Sequence, residues 1–332
     1  AQGEAELVNA EYQLFANKRI VNANGSVLYE KDEEIQGAKR TNAKRQIIWK
    51  DLPLGSYYIK ETKASPGYTI DSTKYIVNLT FKDNSTELIT GAVTAKENVI
   101  KGKIKIYKYD RNTEQLVTRN NTAFNIYTAA AMNINGTDYA ANALVETITT
   151  INGAAESSFL PYGNYYVQER SAPNLYLRDS NTLYRFTIDS PQQVIEYKAY
   201  DEPVRGAINL KKVDSETKGS AQGGASLSGA EYTLYAGENI TNPATNEILY
   251  VKGTKITKKT VGSGTWGTEG TKKTAENGTI TWSNLPLGIY QIKETNPSEG
   301  YNQDQTVYTV AVTYINDTTE VVIKNQTVEE EI

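Results

Sequence analysis

Three glutamates recur in one setting: Glu61 in LPLGSYYIKETKASPGY (52–68), Glu169 in LPYGNYYVQERSAPNLY (160–176) and Glu294 in LPLGIYQIKETNPSEGY (285–301). Tyr57 and Ile59 precede the first acid by four and two places, Tyr165 and Val167 the second, Tyr290 and Ile292 the third. Residues two apart on a β-strand share a face, so each acid is expected on an apolar side. Two lysines obey the same parity, Lys108 with Ile104 and Ile106, and Lys212 with Ile208 and Leu210. Near the unit ends, Asp201 is in line with Ile195, Tyr197 and Ala199, and Asn325 with Val321 and Ile323. A Lys, a Glu and an Asn or Asp then converge in one small core.

Burying these groups separately would cost several kcal/mol for each unpaired charge. Desolvation lowers a lysine pKa and raises that of a carboxylic acid, by as much as about 3–5 pH units. The amine becomes a neutral nucleophile and the glutamic acid a proton donor that can polarise a neighbouring carbonyl. Contact between amine and carboxamide or carboxyl supplies an effective molarity on the order of 10⁵ M or more. The product is an isopeptide bond, formed once per site, with ammonia leaving from Asn or water from Asp. A single Glu on an edge strand would instead be a solvated charge. Three copies with one apolar pattern favour the buried role.

The elements that would position these groups are strands. Tyr is abundant at 24 residues, against five Phe and one Met, and the apolar set is mostly Val, Ile, Leu and Tyr. That composition suits strands and turns. Asn24-Gly25, Asn135-Gly136, Asn152-Gly153 and Asn277-Gly278 mark tight hairpins, and each Leu-Pro-x-Gly is a turn that launches a strand. No long amphipathic helix is evident. The repeated glutamates lie 108 and 125 residues apart in 332 residues, which gives three domains. The spacing predicts an all-β chain of three tandem β-sandwiches in an elongated rod, at 1–100, 101–204 and 205–332. Short linkers poor in Gly and Ser, 98–102 and 201–206, suit semi-rigid joints.

Two irregularities stand out. Residues 252–273 are an insertion in the third unit, rich in Gly, Thr and Lys and containing Trp266, read as a long hairpin or surface loop. Ala1-Gln2-Gly3 aligns with Ala221-Gln222-Gly223, so the first unit lacks the opening strand that the third has at 207–214. Neither a signal-like segment nor a sorting tail is evident, and the sequence is expected to be a mature piece of something larger.

Composition removes most other classes. Cysteine and histidine are both absent, so disulfides, thiol chemistry and the commonest metal ligand and general base are unavailable. A net charge of −4 with interspersed signs shows no basic stripe for nucleic acid. No apolar run reaches membrane-span length. No cofactor, metal or turnover chemistry is expected. GSGTWGTEGTKK is not a phosphate loop, since no Gly-Lys-Ser/Thr ends it.

The pattern Lys-x-Asp … Gly-Ala-Glu-Tyr-x-Leu-Tyr … Leu-Pro-x-Gly-x-Tyr-x-Ile-Lys-Glu-Thr … Asn resembles the B-type repeats of collagen adhesins and pilins from Gram-positive surfaces. The resemblance spans nearly the whole chain. It implies a reverse-Ig, prealbumin-like sandwich, a self-formed Lys–Asn bond and export to a cell wall. Lys212, Glu294 and Asn325 match best. Lys108, Glu169 and Asp201 correspond to an aspartate variant, with Gln-Glu-Arg in place of Lys-Glu-Thr. The first unit offers Glu61 and Asn98 but no lysine, and Asn98 shares parity with Lys96 and Thr94. No crosslink is expected there unless a partner strand supplies the amine in trans.

A structural stalk or pilin shaft module of an extracellular, wall-anchored protein is the leading expectation, with upstream adhesin or pilin domains as partners. The absence of a pilin motif such as Tyr-Pro-Lys-Asn favours an accessory subunit or adhesin stalk. The alternative is direct binding of host matrix protein or glycan through the insertion, with Trp266 as anchor.

Overall fold

The computed structural model describes residues 1–316, 321–324 and 326–331, with side chains described as far as Thr313. All regular structure among the described residues is β, and each Leu-Pro-x-Gly motif leads into the strand that carries a repeated glutamate. None of the described residues forms a helix long and apolar enough to cross a membrane.

The second unit shows the complete arrangement. One sheet has the order Leu144–Thr149, Ala123–Thr128, Gly163–Ser171, Leu183–Ile188. The facing sheet has the order Ala154–Glu156, Lys101–Asp110, Val194–Pro203, Tyr176–Leu177. Strand 101–110 alternates half-buried and buried residues throughout, the period-2 signature of a strand with one face on the core. Ile104, Ile106, Phe124, Ile126, Tyr165, Val167 and Ala199 fill the space between the sheets. The first and last strands run parallel side by side, from Val194 opposite Lys103 to Asp201 opposite Asp110.

In the third unit, Gly206–Val213 lies between Thr279–Leu285 and Gln326–Glu331, again parallel to the latter. Its core holds Trp266, Trp282, Tyr232 and Tyr290. The first unit has one full sheet, in the order Glu34–Arg40, Glu11–Ala16, Gly55–Lys63, Tyr75–Leu79. Its other face has only Tyr68–Thr69 paired with Asn98–Val99.

The Leu-Pro-x-Gly-x-Tyr repeat has a local cause. Tyr57, Tyr165 and Tyr290 each donate a hydrogen bond to the carbonyl of the proline four residues back, at 2.5, 2.9 and 2.6 Å. The hydroxyl is satisfied within the turn while the ring enters the core, which fixes the start of the glutamate strand. The glycine gives room: a Cβ at Gly55 would lie 2.9 Å from Ile20 Cδ1.

Candidate crosslink sites between terminal strands

Lys108 in the second unit is fully buried, with Glu169 and Asp201 5% and 1% exposed. Lys108 stands opposite Ala199 on the last strand, which brings Asp201, two residues on, to the same face. Glu169 enters from the other sheet, where it pairs with Phe124. Lys108 Nζ donates to Glu169 Oε2 at 2.9 Å and lies 2.6 Å from Asp201 Oδ1. The second contact lacks hydrogen-bond geometry, so neither Asp201 oxygen has a hydrogen-bond partner. Phe124 closes the apolar wall 5.7 Å from the amine. Burial pushes the Glu169 carboxyl up to about 8, with Lys108 pulling it down and Asp201 pushing it up. One amine between two carboxyls in a dry core favours a shared proton over a full set of charges.

Asp110 is a fourth buried polar group, with a structural task. It accepts from the backbone N–H of Asn112 and Thr113 and from the Tyr176 hydroxyl at 2.7 Å. The Lys-x-Asp pattern thus pairs a core amine with an acid that caps its strand. Asp214 does the same in the third unit, accepting from Glu216, Thr217 and Tyr301.

Lys212 and Glu294 repeat the pair in the third unit. Both are buried, Lys212 Nζ to Glu294 Oε1 is 3.0 Å, and the amine also reaches the Tyr232 hydroxyl at 3.4 Å. The amine lies 5.1 Å from the Tyr301 ring centre. Glu294 Oε2 accepts from Asp304 N–H at 2.6 Å. Asn325 lies outside the described residues. The adjacent backbone register runs from Ile208 opposite Gln326 to Val213 opposite Glu331, which sets Lys212 opposite Glu330.

Glu61 is buried at 1% exposure and pairs across strands with Tyr12, as Glu169 does with Phe124 and Glu294 with Tyr232. Its Oε2 accepts from Asp71 N–H at 2.5 Å, and its Oε1 has no partner. Burial raises its pKa, the Asp71 N–H opposes this, and the nearby Glu97 carboxylate raises it further.

Asn98 does not occupy the acceptor place. It is exposed and pairs with Thr69 at the edge. In the second unit Tyr176 pairs with Pro203, and in the first Tyr68 pairs with Val99, which puts Glu97 in register with Asp201. Glu97 Oε1 accepts from Tyr12 at 3.3 Å and Ser65 at 3.2 Å, and its buried Oε2 has no partner. A sequence signal existed: Glu97 precedes Gly102 by five residues, as Asp201 precedes Gly206.

The insertion contains a hairpin, one of the two expected forms, but it is not a free surface loop. Trp266 is fully buried in the third core, with the Arg205 guanidinium 5.4 Å from its ring centre. Lys259–Val261 and Gly264–Trp266 form a hairpin, and Thr271–Lys273 becomes an edge strand beside Glu231–Thr233. The hairpin presses on the second unit, where Asn112 Nδ2 donates to Thr265 O and Ser263 N–H to Thr113 O.

Comparison with known proteins defines the class. The family model for the SpaA prealbumin-like fold domain matches residues 1–93, 102–203 and 206–327, so the chain belongs to this family as three consecutive domains. Among solved structures, the chain is similar to the Bacillus anthracis TIE protein, at 22% identity and a TM-score of 0.61. It covers 100% of this chain and 48% of that one, so the chain spans about half the length of that relative. The major pilin subunit BcpA of Bacillus cereus aligns at 20% identity over 99% of this chain and 95% of its own, with a TM-score of 0.34. The shaft pilin SpaA of Lactobacillus rhamnosus GG aligns at 13% identity over 70% and 96%, with a TM-score of 0.26. Curated proteins give no match.

Proposed function

We propose that these residues form a structural stalk segment of a Gram-positive cell-surface protein, an accessory pilin or adhesin stalk, whose units at 101–204 and 205–332 are tied by self-formed isopeptide bonds. In the second unit the Lys108 amine attacks Cγ of Asp201 while protonated Glu169 hydrogen-bonds the carboxyl oxygen and delivers its proton. A C–N bond forms, the C–O bond breaks and water leaves. For the third unit the proposal rests on the sequence pattern alone: Lys212 attacks the Asn325 carboxamide with Glu294 as the acid and ammonia leaves, which requires the last strand to pair in a register other than the one that sets Lys212 opposite Glu330. The first unit, proposed at 1–100, carries Glu61 without a lysine and makes no such bond within residues 1–332.

The observation that carries this reading is the dry contact of Lys108 Nζ with Asp201 at 2.6 Å and Glu169 at 2.9 Å. No turnover follows, because the amine is consumed. The tied strands are the first and last of a unit, so tension applied through the chain ends meets a covalent bond before it can peel the sheet. In a chain without cysteine the bond takes the place of a disulfide and resists reductants. Partners are further domains of the same cell-surface protein.

Peptide mapping of wild type and Glu169→Ala tests the assignment. The wild type is expected to yield one branched peptide joining Lys108 to Asp201, about 18 Da lighter than its two parts, and the variant only the separate parts. Separate parts in the wild type would overturn it.

A further inference from the structure

Each strand glutamate is followed ten residues later by an aspartate: Asp71 after Glu61, Asp179 after Glu169 and Asp304 after Glu294. From that aspartate to the next tyrosine the first and third units have five residues, Asp71-Ser72-Thr73-Lys74-Tyr75 and Asp304-Gln305-Thr306-Val307-Tyr308. The second has six, Asp179-Ser180-Asn181-Thr182-Leu183-Tyr184. The five-residue loops fold alike. The aspartate accepts from the N–H and hydroxyl of the threonine two places on, and from the hydroxyl of the closing tyrosine. Its own N–H is thereby aimed at the buried glutamate, meeting Glu61 Oε2 at 2.5 Å and Glu294 Oε2 at 2.6 Å. The extra residue re-forms the second loop. Asp179 accepts from the N–H of Asn181 and of Thr182, and Ser180 O accepts from Gln168 Nε2 at 2.8 Å. Glu169 is left without that donor: Oε2 accepts from Lys108 at 2.9 Å, and Oε1 is buried with no hydrogen-bond partner.

A donor on a carboxylate oxygen favours the ionised form, and a buried oxygen without one favours protonation. The two acceptor types need different things. Asp201 must carry a proton before an amine can attack it. Its hydroxyl then leaves as water, and the amine gives up two protons, one passing through Glu169 to the departing hydroxyl and one staying on Glu169. A carboxamide is neutral at the outset. A glutamate anchored by a main-chain N–H can still take a proton from the amine on its other oxygen and hand it to ammonia. We infer that the length of this loop sets which acceptor the neighbouring site can use. Six residues leave the glutamate free to share a proton with a carboxyl, and five anchor it for a carboxamide. Asp71, Asp179 and Asp304 are positioning residues, acting through where they put their N–H. The choice of acceptor rests on the condensation proposed above. Control of the glutamate's proton does not, because the first unit has the anchored glutamate and no lysine. The titratable groups facing Glu61 are Tyr12, Asp71 and Glu97; those facing Glu169 are Lys108, Asp201 and Tyr184.

Two variants of the whole chain test this. An asparagine inserted between Ser72 and Thr73 gives the first unit the six-residue loop. The Glu61 carboxyl, followed by carbon-13 NMR, is expected to titrate about one pH unit or more above its wild-type midpoint, since the Asp71 N–H holds it down against the effect of burial. An unchanged midpoint would overturn the inference. Deletion of Asn181 gives the second unit the five-residue loop. Water loss at Asp201 on refolding should slow by about tenfold or more, and Asp201→Asn in the same background should restore the crosslink with loss of ammonia. Water loss at the wild-type rate, or no rescue in a folded chain, would overturn the choice of acceptor. A wild type that forms no bond would overturn that choice together with the condensation, while a shifted Glu61 midpoint would still uphold the loop's control of the proton. Should one variant fail to fold, the other decides.

Discussion

Lys108 is held by two carboxyls in a site from which water is excluded, and that placement sets what substitutions do. In chain that has not formed the proposed bond, replacing Lys108 with alanine leaves Glu169 and Asp201 buried without the amine they share. Loss of one partner from such a set costs about 3–5 kcal/mol. Lys103→Ala, which breaks a partly exposed pair with Glu156, should cost no more than about 1 kcal/mol. Chemical denaturation of the two variants checks the contrast. The raised Glu169 pKa fixes a pH dependence. The folded state keeps this proton up to about pH 8, whereas the unfolded chain releases it near 4.5, so the group's contribution to stability declines as pH rises between those values. The bond formation proposed here needs the same proton. The rate of water loss on refolding unreacted chain should therefore fall as pH passes upward through about 8; a rate that keeps rising would exclude Glu169 as the acid. Parity along single strands was enough to point Lys108, Glu169 and Asp201 inward from sequence. It led to Asn98 in the first unit because local alternation carries no information on register. Register places Glu97 there, through the Tyr68–Val99 pairing.

Strands and turns were legible because their signals are local: alternation in 101–110, and Asn-Gly turns such as Asn135-Gly136, where both residues have positive φ. The insertion was legible as a hairpin but not in its packing, because Trp266 turns into the core of its own unit and the hairpin's glycines meet another unit. Its Gly, Thr and Lys content reads as a loop, but the glycines serve close approach. A Cβ on Gly264 would lie 1.8 Å from Asn112 O, and one on Gly262 2.0 Å from Thr113 O. Nearby, Arg119 donates to Pro243 O at 2.6 Å and to Asn246, Asn242 donates to Gln115, and Val117, Tyr176 and Ala244 form a small apolar cluster. The insertion is a brace between the second and third units. Gly264→Ala should open this joint while both cores stay folded, seen as faster hydrogen exchange at Ser263 and Thr118 with unchanged exchange at Ile106 and Leu234. Trp266→Ala, by contrast, removes a core side chain and should destabilise the third unit by about 3–5 kcal/mol. A stability change within about 0.5 kcal/mol would instead suit a surface anchor.

Three prealbumin-like domains follow one another in this chain, and their differences matter as much as their likeness. The second has its lysine, glutamate and acid assembled, the third has its lysine and glutamate in contact, and the first has two acids and no amine. Repeat count and sandwich class were readable from the recurring Leu-Pro-x-Gly motif, because every copy performs the same turn-and-tyrosine task. The incomplete sheet of the first unit was readable only as a missing aligned segment. A chain tied within two units should resist unfolding under load far beyond what its hydrogen bonds provide. The central claim is nonetheless chemical and is tested most directly by the intact mass of the purified wild-type protein. The account predicts a deficit of about 35 Da from the sequence mass, one water from the second unit and one ammonia from the third. A mass equal to that of the sequence would contradict it.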